Sequence, residues 1–379
     1  MTNTATLYRN MAMHSLYKRI LKPVFFKQDP EDVHDRMTNV GAMLGKHSLG
    51  RAFTRRLFDF QDETLSQSVC GIAFKNPIGL SAGFDKNAQL MDILPSVGFG
   101  FVEVGSITGE KCPGNPKPRL WRLPKSEGLV VWYGLKNDGS EEISNRLAGK
   151  HFDIPVGVSV AATNCADNLI VGNAMRDFAK AFRLMEPIGD YMTVNISCPN
   201  AKGGQTFIDP VRFNELFDIL DDIPTKKPVF IKLSPDLSHS ELDAILDVAH
   251  SHRIDGIITT NLTKKRDNPK IVDLQVPTTG GMSGKVVADL SDDALAYIAK
   301  RQGDKHDKKL VLIASGGVFT AEDAYKKIRL GASLVQMITG MIFEGPQVIS
   351  EINRGLVDLL KKDGYPNISQ AVGADIGKV

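Results

Sequence analysis

The sequence predicts an α/β fold, a (β/α)8 TIM barrel with an N-terminal helical extension. Three observations lead there. From residue 75 onward, eight short apolar runs alternate with helix-like stretches, which is the pattern of βαβ units in a parallel sheet. Eight units in about 290 residues is the count and size of a TIM barrel. The chemically unusual residues fall where the apolar runs end, the face on which barrels place their sites. A doubly wound open sheet is the competing arrangement, but no GxGxxG follows the first strand, which weakens it.

Before the barrel lies a basic arm. Its first 27 residues carry Arg9, Lys18, Arg19, Lys22 and Lys27 and no acid, although the whole chain has a formal net charge of only +2. Leu7, Met11, Leu16, Ile20, Leu21 and Val24 recur near helical spacing over 7–26. Asp29 and Pro30 then read as the N-cap and first residue of a second helix through Val33, Met37, Val40 and Leu44, with Gly45 expected to end it. A further apolar and basic run follows at Phe53, Arg55, Arg56, Leu57 and Phe58. Three readings fit this arm: a monotopic membrane foot, a helical lid packed on the main domain, or an organelle transit peptide.

The strands are expected at 78–81, 101–106, 156–160, 192–196, 229–233, 256–260, 310–314 and 334–337. Helices are expected between them, among others at 210–220, 240–251, 289–300 and 321–330; Asp209 and Pro210 repeat the N-cap and first-position pair. The expected organisation is an extension over 1–65, a barrel over 66–366 and a tail over 367–379.

Composition excludes several classes. The 379 residues are 42% hydrophobic and 24% charged, which rules out a disordered chain. No run of eighteen apolar residues offers a membrane span. The near-neutral charge is no nucleic-acid signature. Cys70, Cys112, Cys165 and Cys198 form no CxxC and have no nearby His pairs, which argues against zinc or a disulfide framework and for a reducing compartment. No metal site is expected.

The strand ends carry the chemistry. The seventh and eighth run into Ser315-Gly316-Gly317 and Ile338-Thr339-Gly340, where glycines let backbone N–H groups approach a phosphate. Lys86 follows Gly83-Phe84-Asp85. Lys232 lies inside the apolar run VFIKL and needs an anionic partner if it points into the barrel. Asn195, Asn200 and Asn261 offer donors and acceptors suited to a planar polar heterocycle. Cys198, between two of them in NISCPN, is a candidate nucleophile or general base. No Ser–His–Asp spacing points to a hydrolase.

NPIGLSAGFDKN, GFGFVEVGSITGEKCPGNPKPRLWRLP, VNISCPN, IKLSPDLS, DGIITTN, GGMSGK, SGGV and GASLVQMITGMIFEGP together resemble the dihydroorotate dehydrogenases over roughly residues 65–355. The arm, through LKPVFFKQDPEDVHD, resembles the extension of the membrane-associated, quinone-reducing class 2 enzymes. The resemblance implies FMN across the top of the barrel. Its contacts would be Ala82, Gly83, Lys86, Ser106, Ser159, Asn195, Lys232, Thr260, Gly284, Gly317, Ile338 and Thr339, with Lys232 stabilising negative charge on the reduced ring. Dihydroorotate would meet Lys86, Asn195, Asn200 and Asn261, and Cys198 would take the proton from C5. Orotate would be the product, in UMP biosynthesis. Electrons would leave for a quinone entering between the N-terminal helices. The expected location is peripheral, on the cytoplasmic face of a bacterial-type cell membrane rather than the mitochondrial inner membrane.

Four departures from the family pattern stand out. Cys198 occupies a position where class 2 enzymes use serine and class 1 enzymes use cysteine. A thiol titrates nearer neutrality than a hydroxyl. EGLVVWYGLKNDG replaces EGLINRMGFNNDG, so Val131 stands where an asparagine bonds the substrate, and Trp132, Tyr133 and Leu135 alter the same loop. Leu262 replaces a small hydroxyl residue, and Ser159 replaces an asparagine near FMN. The alternatives are therefore a flavin enzyme acting on another dihydropyrimidine or cyclic amide, fumarate as acceptor, and a non-catalytic flavin- or phosphate-binding barrel.

Overall fold

The computed structural model describes residues 3–202, 204–305 and 309–378. Eight parallel strands close into a barrel in chain order: β1 (Ile78–Leu80), β2 (Phe101–Thr108), β3 (Val156–Ala161), β4 (Tyr191–Asn195), β5 (Val229–Leu233), β6 (Gly256–Thr259), β7 (Val311–Ser315) and β8 (Ala332–Met337), which returns to pair with β1. All eight expected strands are present. Their outward residues pack against the surrounding helices in one continuous core, as Val156, Val158 and Val160 of β3 do.

The inward residues form layers. The lowest is apolar: Phe101, Tyr191, Phe230, Ile258, Ile313 and Leu334. A short antiparallel ribbon, Gln67–Val69 with Ile72–Phe74, adds Val69 and Phe74 and seals this end. Three rings need glycine beside them. A Cβ on Gly79 would come within 2.3 Å of the Phe101 ring, one on Gly157 within 2.0 Å of Tyr191, and one on Gly256 within 2.3 Å of Phe230. Above this floor the interior turns polar, through Glu103, Thr193, Lys232 and Gln336.

The arm comprises α1 (Asn3–Leu16), a wide turn over Tyr17–Leu21, α2 (Lys22–Phe26), α3 (Pro30–Lys46) and α4 (Ser48–Phe58). The helix expected over 7–26 is present and runs without interruption, with one widened turn inside it. Pro23 has no N–H and its ring crowds the carbonyl four residues back, at Arg19; the wide turn accommodates this. Asp29 caps α3 as expected, accepting from the backbone N–H groups of Glu31 (2.9 Å) and Asp32 (3.1 Å). Gly45 does not end α3. It lies within the last turn, where a Cβ would come within 3.1 Å of Asp92, so its role is close packing on the barrel.

Buried polar contacts fasten the arm. Glu31 receives Arg119 through Nη2 (2.8 Å) and Nε (3.0 Å), with Lys136 at 3.4 Å and Lys117 at 3.6 Å. Arg122 donates to the Gln28 carbonyl (2.8 Å) and the Tyr17 hydroxyl to the Ile342 carbonyl (2.6 Å). The opposite side is apolar and open: Met11, Ile20, Val24, Met43, Leu49 and Phe53 are each more than half exposed. Among the described residues no helix is long and apolar enough to cross a membrane.

Like the ribbon at the barrel floor, a second small sheet went unforeseen. Leu120–Leu123, Gly128–Val131 and Gly281–Gly284 form a three-stranded antiparallel sheet beside the barrel mouth. The 367–378 segment is packed rather than free: Ile368 and Ala371 are fully buried, and Asp375 pairs with Arg329.

Candidate active site

A cleft of about 200 Å³ opens where the strands end. Ala82, Gly83, Lys86, Ser106, Asn195, Lys232, Thr260, Gly284, Gly317, Ile338 and Thr339 line it, as do Cys198, Asn200 and Asn261. Ser159 lies behind this surface. It is fully buried on β3, with its Oγ 2.7 Å from Ser106 Oγ. It supports Ser106 and does not itself form the wall.

The polar wall is a linked set. Asn195 Nδ2 donates to Ser106 Oγ (2.8 Å), and Asn195 Oδ1 accepts from Asn261 Nδ2 (3.2 Å). Asn261 Oδ1 accepts the Leu262 N–H (2.9 Å). Asn200 Nδ2 donates to the Val131 carbonyl (2.9 Å), while its Oδ1 is buried without a partner. Thr260 Oγ1 is likewise buried and unpartnered. Such atoms are costly unless a ligand satisfies them.

Lys86 is carried on a loop fixed by Asp85, whose carboxylate accepts the N–H groups of Gln89 and Leu90, both at 2.8 Å. Its ammonium rests 4.0 Å from the centre of the Tyr133 ring, whose other cationic neighbour is Arg119 at 5.3 Å. Burial brings the Lys86 amine down to about 8. An anion in the cleft would raise it again and keep it charged at higher pH. His34 of α3 reaches the rim, its Nε2 2.9 Å from the Phe84 carbonyl; burial first, and Lys86 next, bring it down to about 4, so it is neutral near pH 7.

Lys232 does find the anionic partner its position demanded: Glu103, at 3.8 Å across the barrel. Its Nζ donates to Ser81 Oγ (3.0 Å). Glu103 escaped sequence reasoning because VEV reads as an ordinary strand. Only the closure of the barrel sets it opposite Lys232.

Cys198 departs from expectation in its electrostatics. Burial pushes its thiol up to about 11, against the opposing effect of the Asn200 and Ala201 N–H groups. It therefore rests protonated, not poised near neutrality.

At the far end of the cleft Gly284, Gly316 and Gly317 all have positive φ. A Cβ on Gly284 would stand 2.3 Å from the Glu127 carbonyl, and one on Gly317 2.4 Å from Ala288. Ser283 and Thr339 hydroxyls lie 2.9 Å apart beside them. The backbone here forms a cradle suited to a phosphate. Toward the arm the lining is apolar: Leu120, Leu129, Val131, Phe319 and Ile342. Val131 and Leu262 both line the cleft and add apolar surface to it. Among the described residues no cluster of His, Cys, Asp or Glu is arranged to hold a metal.

The arrangement can hold a flat polar ring with an anionic substituent, above a buried cation and next to a phosphate cradle. The sequence model for dihydroorotate dehydrogenase matches residues 64–360. The quinone-type dihydroorotate dehydrogenase of Natronomonas pharaonis is 38% identical over 361 residues, covering 94% of this chain and 99% of that protein. Its counterpart in Gloeobacter violaceus is 35% identical over 94% of this chain and 98% of its own length. Among solved structures, the Eimeria tenella enzyme in complex with ferulenol superposes with a TM-score of 0.81 at 30% identity, covering 92% of this chain and 96% of that one.

Proposed function

Because the chain belongs to the dihydroorotate dehydrogenase family, we propose that it oxidises dihydroorotate to orotate in pyrimidine biosynthesis and passes the electrons to a quinone. Members of this family are flavin-dependent oxidoreductases. The observation that carries the assignment to this cleft is the joint placement of Lys86, three asparagines and Cys198 on its lining with Lys232 and a glycine cradle.

FMN fits the residues present. The cradle at Gly284, Gly317 and Thr339 would take its phosphate. Ala82, Gly83, Ser106, Asn195, Thr260 and Ile338 would border it, and Ser159 would act through Ser106. The orphaned Thr260 hydroxyl is the kind of group a polar cofactor satisfies. When bound, FMN supplies the acceptor for the C6 hydrogen and its electron pair. Lys232 counters the negative charge that arrives with them.

The chain's own groups do the rest. Lys86 neutralises the substrate carboxylate. Asn195, Asn200 and Asn261 hold the ring, and the free Asn200 Oδ1 is an acceptor for a ring N–H. Cys198, once deprotonated, removes the proton from C5. The quinone would approach from the apolar end, past Leu120, Phe319 and Ile342. The exposed apolar side of the arm, bordered by basic residues, suits peripheral attachment to the cytoplasmic face of a membrane.

The test is an anaerobic titration of the purified protein with dihydroorotate, followed by the visible flavin absorbance. Bleaching is the expected result. A bound flavin that ignores dihydroorotate would overturn the substrate assignment and point to another reduced pyrimidine.

A further inference from the structure

Glu103 is not needed to fill space. It lies mid-strand in β2, fully buried, at a level where barrel interiors are usually branched aliphatic. Its Oε2 accepts from Gln336 Nε2 (2.9 Å), Thr193 Oγ1 (3.1 Å) and the Tyr191 hydroxyl (3.4 Å). Its Oε1 accepts no hydrogen bond and faces Lys232 Nζ at 3.8 Å. Thus three neutral donors, from β4 and β8, fix one oxygen and leave the other for the ammonium. Lys232 continues upward to Ser81 at the cleft. Replacing a buried ion pair by apolar residues is often neutral or stabilising, so stability alone gives no reason for this one.

We propose that Glu103 is a positioning residue: it keeps Lys232 charged and aims its ammonium at the cleft floor, so that negative charge delivered to the flavin meets a cation throughout the working pH range. The inference rests on the flavin reading above. Burial lowers the Lys232 amine, and Glu103 is the charged group that opposes this. Around the pair stand Tyr191 and Thr193 on β4, Gln336 on β8 and Ser81 after β1. The one titratable side chain among these four, Tyr191, is held well above its usual range by burial and by Glu103.

The experiment is spectroelectrochemical measurement of the flavin midpoint potential in the holoprotein from about pH 5.5 to 9.5. In Glu103→Gln, Lys232 loses the partner that retains its proton. The expected profile follows or exceeds wild type at the acid end. It falls away at the alkaline end, where reduction becomes at least tenfold less favourable, a shift of about 30 mV for a two-electron couple. Glu103→Asp is expected to restore the wild-type profile. Parallel profiles for Glu103→Gln and wild type at every pH would overturn the proposal. Should Glu103→Gln not yield holoprotein, the pair Glu103→Gln/Lys232→Met buries no unpaired charge. Its potential is expected not to fall below that of Lys232→Met at the alkaline end, because no lysine is left there to lose its proton. An alkaline fall in the double variant relative to Lys232→Met would overturn the proposal. Wild-type protein without flavin would defeat the functional reading, a result distinct from either outcome, and this inference with it.

Discussion

On the strand-end wall of the cleft, polar side chains hold one another: Asn195 is tied to Ser106 and Asn261, and Lys232 to Ser81 and Glu103. On the opposite side, the small sheet presents Leu129 and Val131 and the segments after β7 and β8 present Phe319 and Ile342, which share an apolar cluster with Phe26 of α2. The first wall is anchored in eight strands closed on themselves. The second is assembled from a short sheet, two segments that follow barrel strands, and arm helices secured by a few contacts, chiefly Glu31 with Arg119. The difference teaches a division of labour. Proton removal and charge compensation need sub-ångström placement, which rigid strands and the short turns leaving them provide. Admission of a large apolar acceptor needs surface area, which added elements can provide without disturbing the barrel.

The sharpest way to break this comparison is at Cys198. Cys198→Ala is expected to slow flavin reduction by dihydroorotate at least about 100-fold, the scale of a lost general base, with FMN still bound. Stopped-flow absorbance reads both. Undiminished reduction would remove Cys198 from the chemistry.

A pH series tests the same wall without mutation. The base works deprotonated, and burial holds the thiol up to about 11, so its active fraction grows roughly tenfold per unit below that value. Flavin reduction at saturating substrate is therefore expected to climb from pH 7 to 9 with no plateau. Lys86, brought to about 8 in the free protein, loses its charge above that pH, so KM is expected to rise there. A plateau near neutrality would show that ligand binding lowers the thiol.

On the other wall, Val131→Asn is expected to strengthen dihydroorotate binding by roughly tenfold, since a regained buried hydrogen bond contributes about 1 kcal/mol or somewhat more. Flavin-fluorescence titration measures it. Weakened binding would mean that the apolar edge suits the native substrate. The smallest effect is expected at the arm. Ile20→Ser with Val24→Ser should lower quinone turnover on anionic vesicles several-fold, and flavin reduction less. Equal losses would assign the arm to packing alone.

The barrel was legible because each strand is a short apolar run that ends in chemically distinctive residues, and because strand-to-strand neighbours follow chain order. Lys232 stood out since a lysine inside VFIKL has no place in an ordinary strand. Three features were not legible. The small sheet pairs 128–131 with 281–284, segments separated by most of the barrel, and GMSG carries no strand pattern. Glu103 needs closure to find Lys232. The depth of Ser159 depends on its layer, which sequence periodicity does not reveal. Cys198 was legible as a candidate base, but its raised thiol follows from burial in the folded site.

The sealed floor carries a last consequence. With Val69 and Phe74 stopping the lower end and rings filling the glycine gaps beside them, the barrel is a cup with one rim. Nothing reaches Glu103 from below. Solvent protons and small ions must come past whatever occupies the cleft. A ligand seated there also acts as a stopper. Filling the cleft therefore isolates the charged layer beneath from the bulk, and its protons then exchange on the timescale of ligand departure or unfolding.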